Sequence, residues 1–442
     1  MSELRSPAQT ARRSQILAWA LWDFGATGLN AVVVTFVFSV YLTDSVGADL
    51  PGDISATGYL GWALGGAGLV VALLAPATGV WVDAARRRRR ALATLSLAAL
   101  ALTVAMGTVR DDYHYLAFGL ILIAATSACV DLATVPYNAM LRQLSTPHTS
   151  GQISGIGLGL GYIGSVVLLL AVYFGFIAGD GEHTGLLGVP VADGQNVRTA
   201  MVFVAIWFGM FALPVLIAVP SAADPFPDRD RTGLFGAYRT LWSEIRGEWR
   251  RDRNVVYYLI ASAVFRDGLT GIFAFGAVLG VRVYGVSQAD VLLFGVSASV
   301  VAAVGAVIGG RFDDRFGAKP VILASLVAII AVGATLMALS GPRAFWACGL
   351  LLCLFIGPTL SAARTLMMRL SAEGKEGMAF GLYTTTGRAV SYLAPMLFST
   401  FIAIFGTDRA GMGGILVVLV VGLAAMLAVK PASSRGPALP AG

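Results

Sequence analysis

Between two apolar stretches the chain reads Gly310-Arg-Phe-Asp-Asp-Arg-Phe-Gly-Ala-Lys319. Glycines suit a tight turn, an aspartate at a helix end can accept backbone or side-chain donors, and basic residues hold such a loop on one side of a membrane. The same grammar occurs once before: Gly79 to Asp83 followed by Arg86 to Arg90, again between two apolar runs. A second echo has a constant offset of 226, so that Leu144, Ser145, Gly151, Gly155 and Gly161 recur as Leu370, Ser371, Gly377, Gly381 and Gly387. The chain therefore reads as two copies of one unit in parallel register.

Working outward, the apolar runs fall at 16–42, 58–82, 91–109, 115–137, 152–177 and 199–220, then at 255–280, 290–312, 320–340, 344–366, 379–405 and 411–429. A bilayer span takes about 20 apolar residues. The expected fold class is thus an all-α membrane protein of twelve transmembrane helices in two six-helix halves. Composition agrees: of 442 residues 57% are hydrophobic and 13% charged, against roughly 25% charged in a soluble domain. A soluble enzyme, a secreted disulfide scaffold and a single-span receptor are excluded. Cys129, Cys348 and Cys353 all lie in apolar runs and read as buried thiols.

Domain boundaries follow the polar stretch in the middle: 1–220 as the first half, 221–254 as a linker and 255–442 as the second half. Within the linker Leu234, Phe235, Tyr238, Leu241, Trp242, Ile245 and Trp249 alternate with Arg239, Arg246, Arg250 and Arg251. That pattern predicts a basic amphipathic helix on a membrane surface, tethering the halves. Of the 31 lysines and arginines, 23 fall in loops on the side of the N-terminus, 5 in the loops opposite and 3 inside runs. By the positive-inside rule both termini are expected in the cytoplasm of a multi-pass cell-membrane protein. The net charge of +6 belongs to this topology, so no nucleic-acid partner is expected. Two parallel six-helix repeats imply a substrate site between them near the bilayer midplane.

The segment from Gly310 through Asp314, Arg315 and Gly317 to Lys319 resembles the loop signature of the major facilitator superfamily, placed where that family has it. In the first half Gly79 and Asp83 match, while Ala84 stands where arginine is usual and the glycine position is lost in Arg86 to Arg90, so the resemblance implies a weaker first-half latch. Over most of the chain the likeness is to the autophagy-related vacuolar effluxer-like branch. It is carried by Trp19, Trp22 to Gly25, Thr35 to Phe38, Tyr41, Pro136 to Asn138, Ser154 to Tyr162, Phe265 to Gly268 and Phe380 to Tyr383. The fungal members of that branch are associated with amino-acid efflux from the vacuole, whereas its bacterial members mostly lack a defined substrate.

Leaving aside Asp290 and Arg311 at the very ends of one run, six charged residues lie inside the runs: Asp23, Asp131, Asp267, Arg266, Arg364 and Arg388. Each costs about 2.5 to 3.5 kcal/mol in a bilayer on insertion scales, which makes them the first functional candidates. Asp23 shares a stripe with Thr27 and Asn30, and Asp131 one with Thr134 and Asn138. The resemblance puts helices 1, 4, 7 and 10 around the cavity and so Asp23 close to Asp131; two facing carboxylates suit a proton carrier. The alternative is that each is a structural hydrogen-bond acceptor. Asn30, Asn138, Arg266, Asp267 and Arg388 are substrate-binding candidates, with Arg388 free to pair with Asp267 or meet a substrate carboxylate. Arg364 reads as a charge snorkelling to the membrane surface. Tyr137, Tyr162, Tyr383 and Tyr392 read as packing residues.

Gly159 to Gly164 fits a dinucleotide fingerprint but has no preceding strand, and reads as close helix packing. The three lysines lack a nucleotide-binding context, the three histidines lie in loops, and no nucleophile–base pair or metal set stands out. No enzyme activity, cofactor or metal is expected. The sequence points to a monomeric secondary transporter of a small polar solute, amino acids among the candidates, driven by protons or another coupling ion. A drug or metabolite exporter of the same fold and a non-transporting receptor or scaffold are the alternatives.

Overall fold

The structure, a computed structural model, describes residues 12–51, 54–179, 181–219, 246, 247, 250 and 253–430. The amphipathic segment expected at 229–253 thus lies almost wholly outside the described residues. Among those described, twelve helices are long and apolar enough to cross a bilayer. In the first half these are α1 (Arg13–Val46), α2 (Ala56–Val82), α3 (Ala85–Met106), α4 (Leu116–Ala139), α5 (Ser150–Val172) and α6 (Gln195–Ala218). The second half has α7 (Arg253–Arg282), α8 (Gln288–Phe316), α9 (Ala318–Ala338), α10 (Pro342–Leu370), α11 (Glu376–Phe405) and α12 (Asp408–Ala428).

Helix starts follow local chemistry. Ser55, Ser287 and Thr407 cap α2, α8 and α12 by accepting from Gly58, Asp290 and Ala410 N–H groups. Gly317, with φ +94°, makes the turn between α8 and α9 that a side chain would strain. Two spans depart from the sequence expectation. The first turns of α1 are α-helical to Asn30, but Ala31–Phe36 and Tyr41–Val46 form wider π turns. α11, expected as one run, breaks between Val390 and Leu393 at Ser391 and Tyr392. In addition, Arg86 to Arg90 are not a loop: α3 begins at Ala85 and carries them in its opening turns.

Packing within the first half centres on a sandwich in which Trp19 and Trp22 both stack on Tyr137, with ring centroids 4.5 and 4.4 Å apart. Both indoles are satisfied, Trp19 donating to Tyr137 O and Trp22 to Ser96 Oγ, each at 3.0 Å. Gly164 lies directly on the Phe24 backbone, so the glycine run of α5 serves close helix packing, as its sequence context suggested.

The halves meet chiefly through α2 against α11 and α5 against α8. The contacts are backbone to backbone at Gly79 with Gly377, Gly381 with Ala75, Gly151 with Gly310 and Gly155 with Ala306. They lie in the part of the helices nearer Arg12, Arg142, Arg253 and Lys430, called the basic face below. Toward the opposite face the seam ends, with Thr385 Oγ1 donating to Ala72 O and Tyr162 beside Phe273. Beyond it, side chains added at Gly61, Gly65, Gly66 or Gly295 would meet nothing within 4 Å. The described contacts between the halves are therefore concentrated toward the basic face.

Candidate functional site

The closure at the basic face is built twice. At the N-terminus of α11, Asp83 Oδ1 accepts from Met378 N–H at 3.1 Å. At the N-terminus of α5, Asp314 accepts from Gly151 and Gln152 N–H at 2.7 and 2.8 Å. In both cases a carboxylate ending one helix neutralises the unpaired N–H groups starting a helix of the other half. The first-half latch, expected to be weak because Ala84 lacks a guanidinium, is completed by a different residue. Arg88 donates to Val82 O and Ala139 O and pairs with Glu376 Oε2 at 2.8 Å. Arg142 Nε lies 2.8 Å from Glu376 Oε1, and its Nη2 reaches Met368 O and Ser371 O. In the second half Arg369 joins Asp313, Asp314 and Ser150 Oγ.

Arg88, Glu376, Arg142, Asp313 and Arg369 were not singled out from sequence. Each sits among other charges or at a loop edge, where solvation is the default. Their partners lie in the other half, out of reach of local patterning. Gly79, Asp83, Gly310 and Asp314 fall where the loop signature placed them. Arg315 and Lys319 do not cross between halves: Arg315 packs over Phe316, and Lys319 binds the carbonyls of Leu427 and Val429 at the end of α12.

Beneath this closure lie the intramembrane charges. Asp23 and Asp131, expected near one another, each pair with an arginine of the other half. Arg364 Nη2 stands 3.3 Å from Asp23 Oδ2, with side-chain exposures of 13% and 12%. Arg388 pairs with Asp131, with exposures of 36% and 17%. Arg364 is thus no surface charge. Its guanidinium lies over the rings of Trp19 and Tyr137, at 5.8 and 5.6 Å, because α1, α4 and α10 converge there. Arg388 does not pair with Asp267 either. Asp267 accepts from Ala394 N–H at 2.6 Å, capping the second piece of α11.

Beside Asp23, the buried atoms Arg364 Nη1 and Tyr137 Oη meet no hydrogen-bond partner of good geometry among the described residues, and neither does Asn138 Oδ1, one residue further along α4. A buried polar atom left so is costly, and such atoms are ordinarily met by water or another polar group. Tyr137, read from sequence as packing, belongs to both the stack and this polar group. Asn30 is half-buried at the last α-helical turn of α1, and Thr27 Oγ1 donates to Asp23 Oδ1 at 3.3 Å. Arg266 lies 3.7 Å over the Tyr383 ring and donates to Tyr383 O at 3.3 Å. Among the described residues no group of three or more His, Cys, Asp and Glu could hold a metal.

Residues 51–438 match the family described as "Vacuole effluxer Atg22 like". An uncharacterised transporter of the major facilitator type, YxiO of Bacillus subtilis, is 21% identical over 419 residues, covering 94% of this chain and 95% of its own. Autophagy-related protein 22 of Yarrowia lipolytica is 23% identical over 278 residues, covering 57% of this chain but only 45% of its own. Among solved structures, the proton:xylose symporter XylE superposes with a TM-score of 0.71 at 14% identity, over 95% of this chain and 96% of that one. At that identity the likeness establishes the major facilitator fold alone.

Proposed function

The chain belongs to the Atg22-like vacuole effluxer family of membrane transporters, and from that premise we propose that it moves a small polar solute by alternating access, coupled to protons. Amino acids are among the candidate solutes. The observation that carries this reading is the pair of acid–base contacts across the seam, Asp23 with Arg364 and Asp131 with Arg388. Each ties one half to the other through a carboxylate that a proton would neutralise. Protonation removes the attraction, leaves the arginine free for solute, and lets the halves rock about the site.

The two pairs differ in access. The Asp131 pair is the more exposed, so an arriving proton meets it first. The Asp23 pair is the more buried, with its Arg364 guanidinium over the Tyr137 ring. Under this reading residues 1–220 and 255–442 move as two bodies joined by 221–254, the protein works as a monomer, and the basic face is cytoplasmic in the cell membrane, as the lysine and arginine distribution supports.

The test is gradient-driven uptake in proteoliposomes offered labelled amino acids, sugars and organic acids. Accumulation is expected for wild type and absent in Asp131→Asn, with solute exchange at equal pH retained. Undiminished accumulation by the Asp23→Asn/Asp131→Asn double variant would refute the coupling.

A further inference from the structure

Of the six charges inside the membrane, five are accounted for. Asp23 and Asp131 have Arg364 and Arg388, and Asp267 is held by the start of a helix. Arg266 remains, with no described carboxylate within ion-pair distance. Its helix, α7, places it about midway between the membrane faces, thirteen residues after Arg253. A guanidinium kept there without a counter-ion is expensive, and intramembrane charges of this kind mark substrate pathways.

The surroundings hold this guanidinium in one pose. Its plane rests on the Tyr383 ring, and Nη1 donates to Tyr383 O. Nη2 occupies the space left by Gly387, where a β-carbon would collide with it. One turn of α11 thus supplies a platform at Tyr383 and a notch at Gly387, next to Arg388 of the interhalf pair. Among the described residues the half-buried fork donates to Tyr383 O alone, and the fork geometry of its other donors matches a carboxylate in two parallel hydrogen bonds.

We propose that Arg266, seated on Tyr383 in the Gly387 notch, receives a carboxylate of the transported solute. The proposal rests on the transporter reading above and narrows its substrate to anions and zwitterions. A plain organic acid and an α-amino acid share the recognised group, and they are separated by experiment.

Purified full-length protein is heated with matched probes: the common α-amino acids, their amides, the corresponding deaminated acids, simple amines and hexoses. A ligand that binds the folded state raises the melting temperature by mass action. At least one carboxylate probe is expected to do so while its amide does not; stabilisation by the deaminated acid as well identifies the carboxylate as sufficient, and stabilisation by the amino acid only identifies a zwitterion. Arg266→Gln is expected to weaken the binding roughly tenfold to a hundredfold, and Arg266→Lys less. Gly387→Ala, which keeps the charge but displaces the fork, is expected to weaken it too.

Stabilisation by amines or hexoses alone, no stabilisation by any carboxylate probe, or a carboxylate effect that survives Arg266→Gln would each overturn the assignment. The readout needs no gradient, so it is distinct from the coupling test. A protein that accumulates a hexose under a proton gradient with Arg266→Gln unimpaired keeps the coupling and loses this inference. One that binds carboxylates through Arg266 but accumulates them without Asp23 and Asp131 does the reverse.

Discussion

Replacing Glu376 by glutamine tests the closure at the basic face most directly. The side chain is nearly isosteric, so Gly374 N–H, 3.1 Å from Oε1, keeps an acceptor. What is lost is the charge facing Arg88 and Arg142. Glu376 and Arg88 are 3% and 7% exposed, whereas Arg142 is 33% exposed and partly solvated. Removing one partner of a buried ion pair costs about 3 to 5 kcal/mol, because the other charge stays buried. Taking the lower figure, since Arg88 also keeps the carbonyls of Val82 and Ala139, the closed arrangement loses about 3 kcal/mol. If the halves separate here when the protein switches, the conformational equilibrium moves by roughly a hundredfold toward the state closed on the opposite face.

Spin labels at the exposed Thr57 and Arg343, which start α2 and α10 on that opposite face, report the change by pulsed dipolar distance measurement in a background with the three cysteines replaced. A shift toward shorter distances is expected in Glu376→Gln, and a partial return in the Arg88→Gln/Glu376→Gln double variant, because removing both partners strands neither. An unchanged distance distribution in the single variant would show that Glu376 does not hold the two halves together.

Two further outcomes follow from the same geometry. Asp314→Asn, which weakens acceptance from the Gly151 and Gln152 N–H groups, is expected to shift those distances in the same direction as Glu376→Gln, each charge–dipole contact being worth about 1 kcal/mol; an unchanged distribution would contradict it. Arg364→Gln strands Asp23 in a buried site and is expected to lower the melting temperature in detergent, with recovery in Asp23→Asn/Arg364→Gln; a double variant less stable than the single one would refute the pairing.

The spans and the two loop signatures were legible because they are properties of contiguous sequence: apolar length, and glycine with aspartate at a fixed spacing. Partnerships between the halves were not. Asp131 and Arg388 are 257 positions apart, and nothing in the sequence distinguishes Arg388 pairing with Asp131 from pairing with Asp267. Arg88 shows the limit most clearly. In a run of five arginines all look alike, and only the start of α3 at Ala85 decides which one turns inward. Tyr137 and Tyr383 show a related limit, since an aromatic ring that packs can also present a face to a cation, and only the positions of Arg364 and Arg266 show that these two do.

The offset of 226 acquires a physical meaning from the contacts. Its first two glycine pairs, Gly151 with Gly377 and Gly155 with Gly381, are the places where α5 and α11 lie on the backbones of α8 and α2. Lipid chains are as apolar as leucine, so association within the membrane relies on such close approach rather than on burying hydrophobic area. The third pair serves a different end. A β-carbon at Gly161 would come within 2.8 Å of Thr27 Oγ1 and 3.4 Å of Asp23 Cγ, and one at Gly387 would strike Arg266. Equivalent notches in the two halves therefore admit polar side chains from α1 and α7. In one half the notch serves an acid already answered by Arg364. In the other it serves a base that nothing described answers, so the repeat supplies equal space and the difference in charge makes the site one-sided, with the vacant cationic position on the second half.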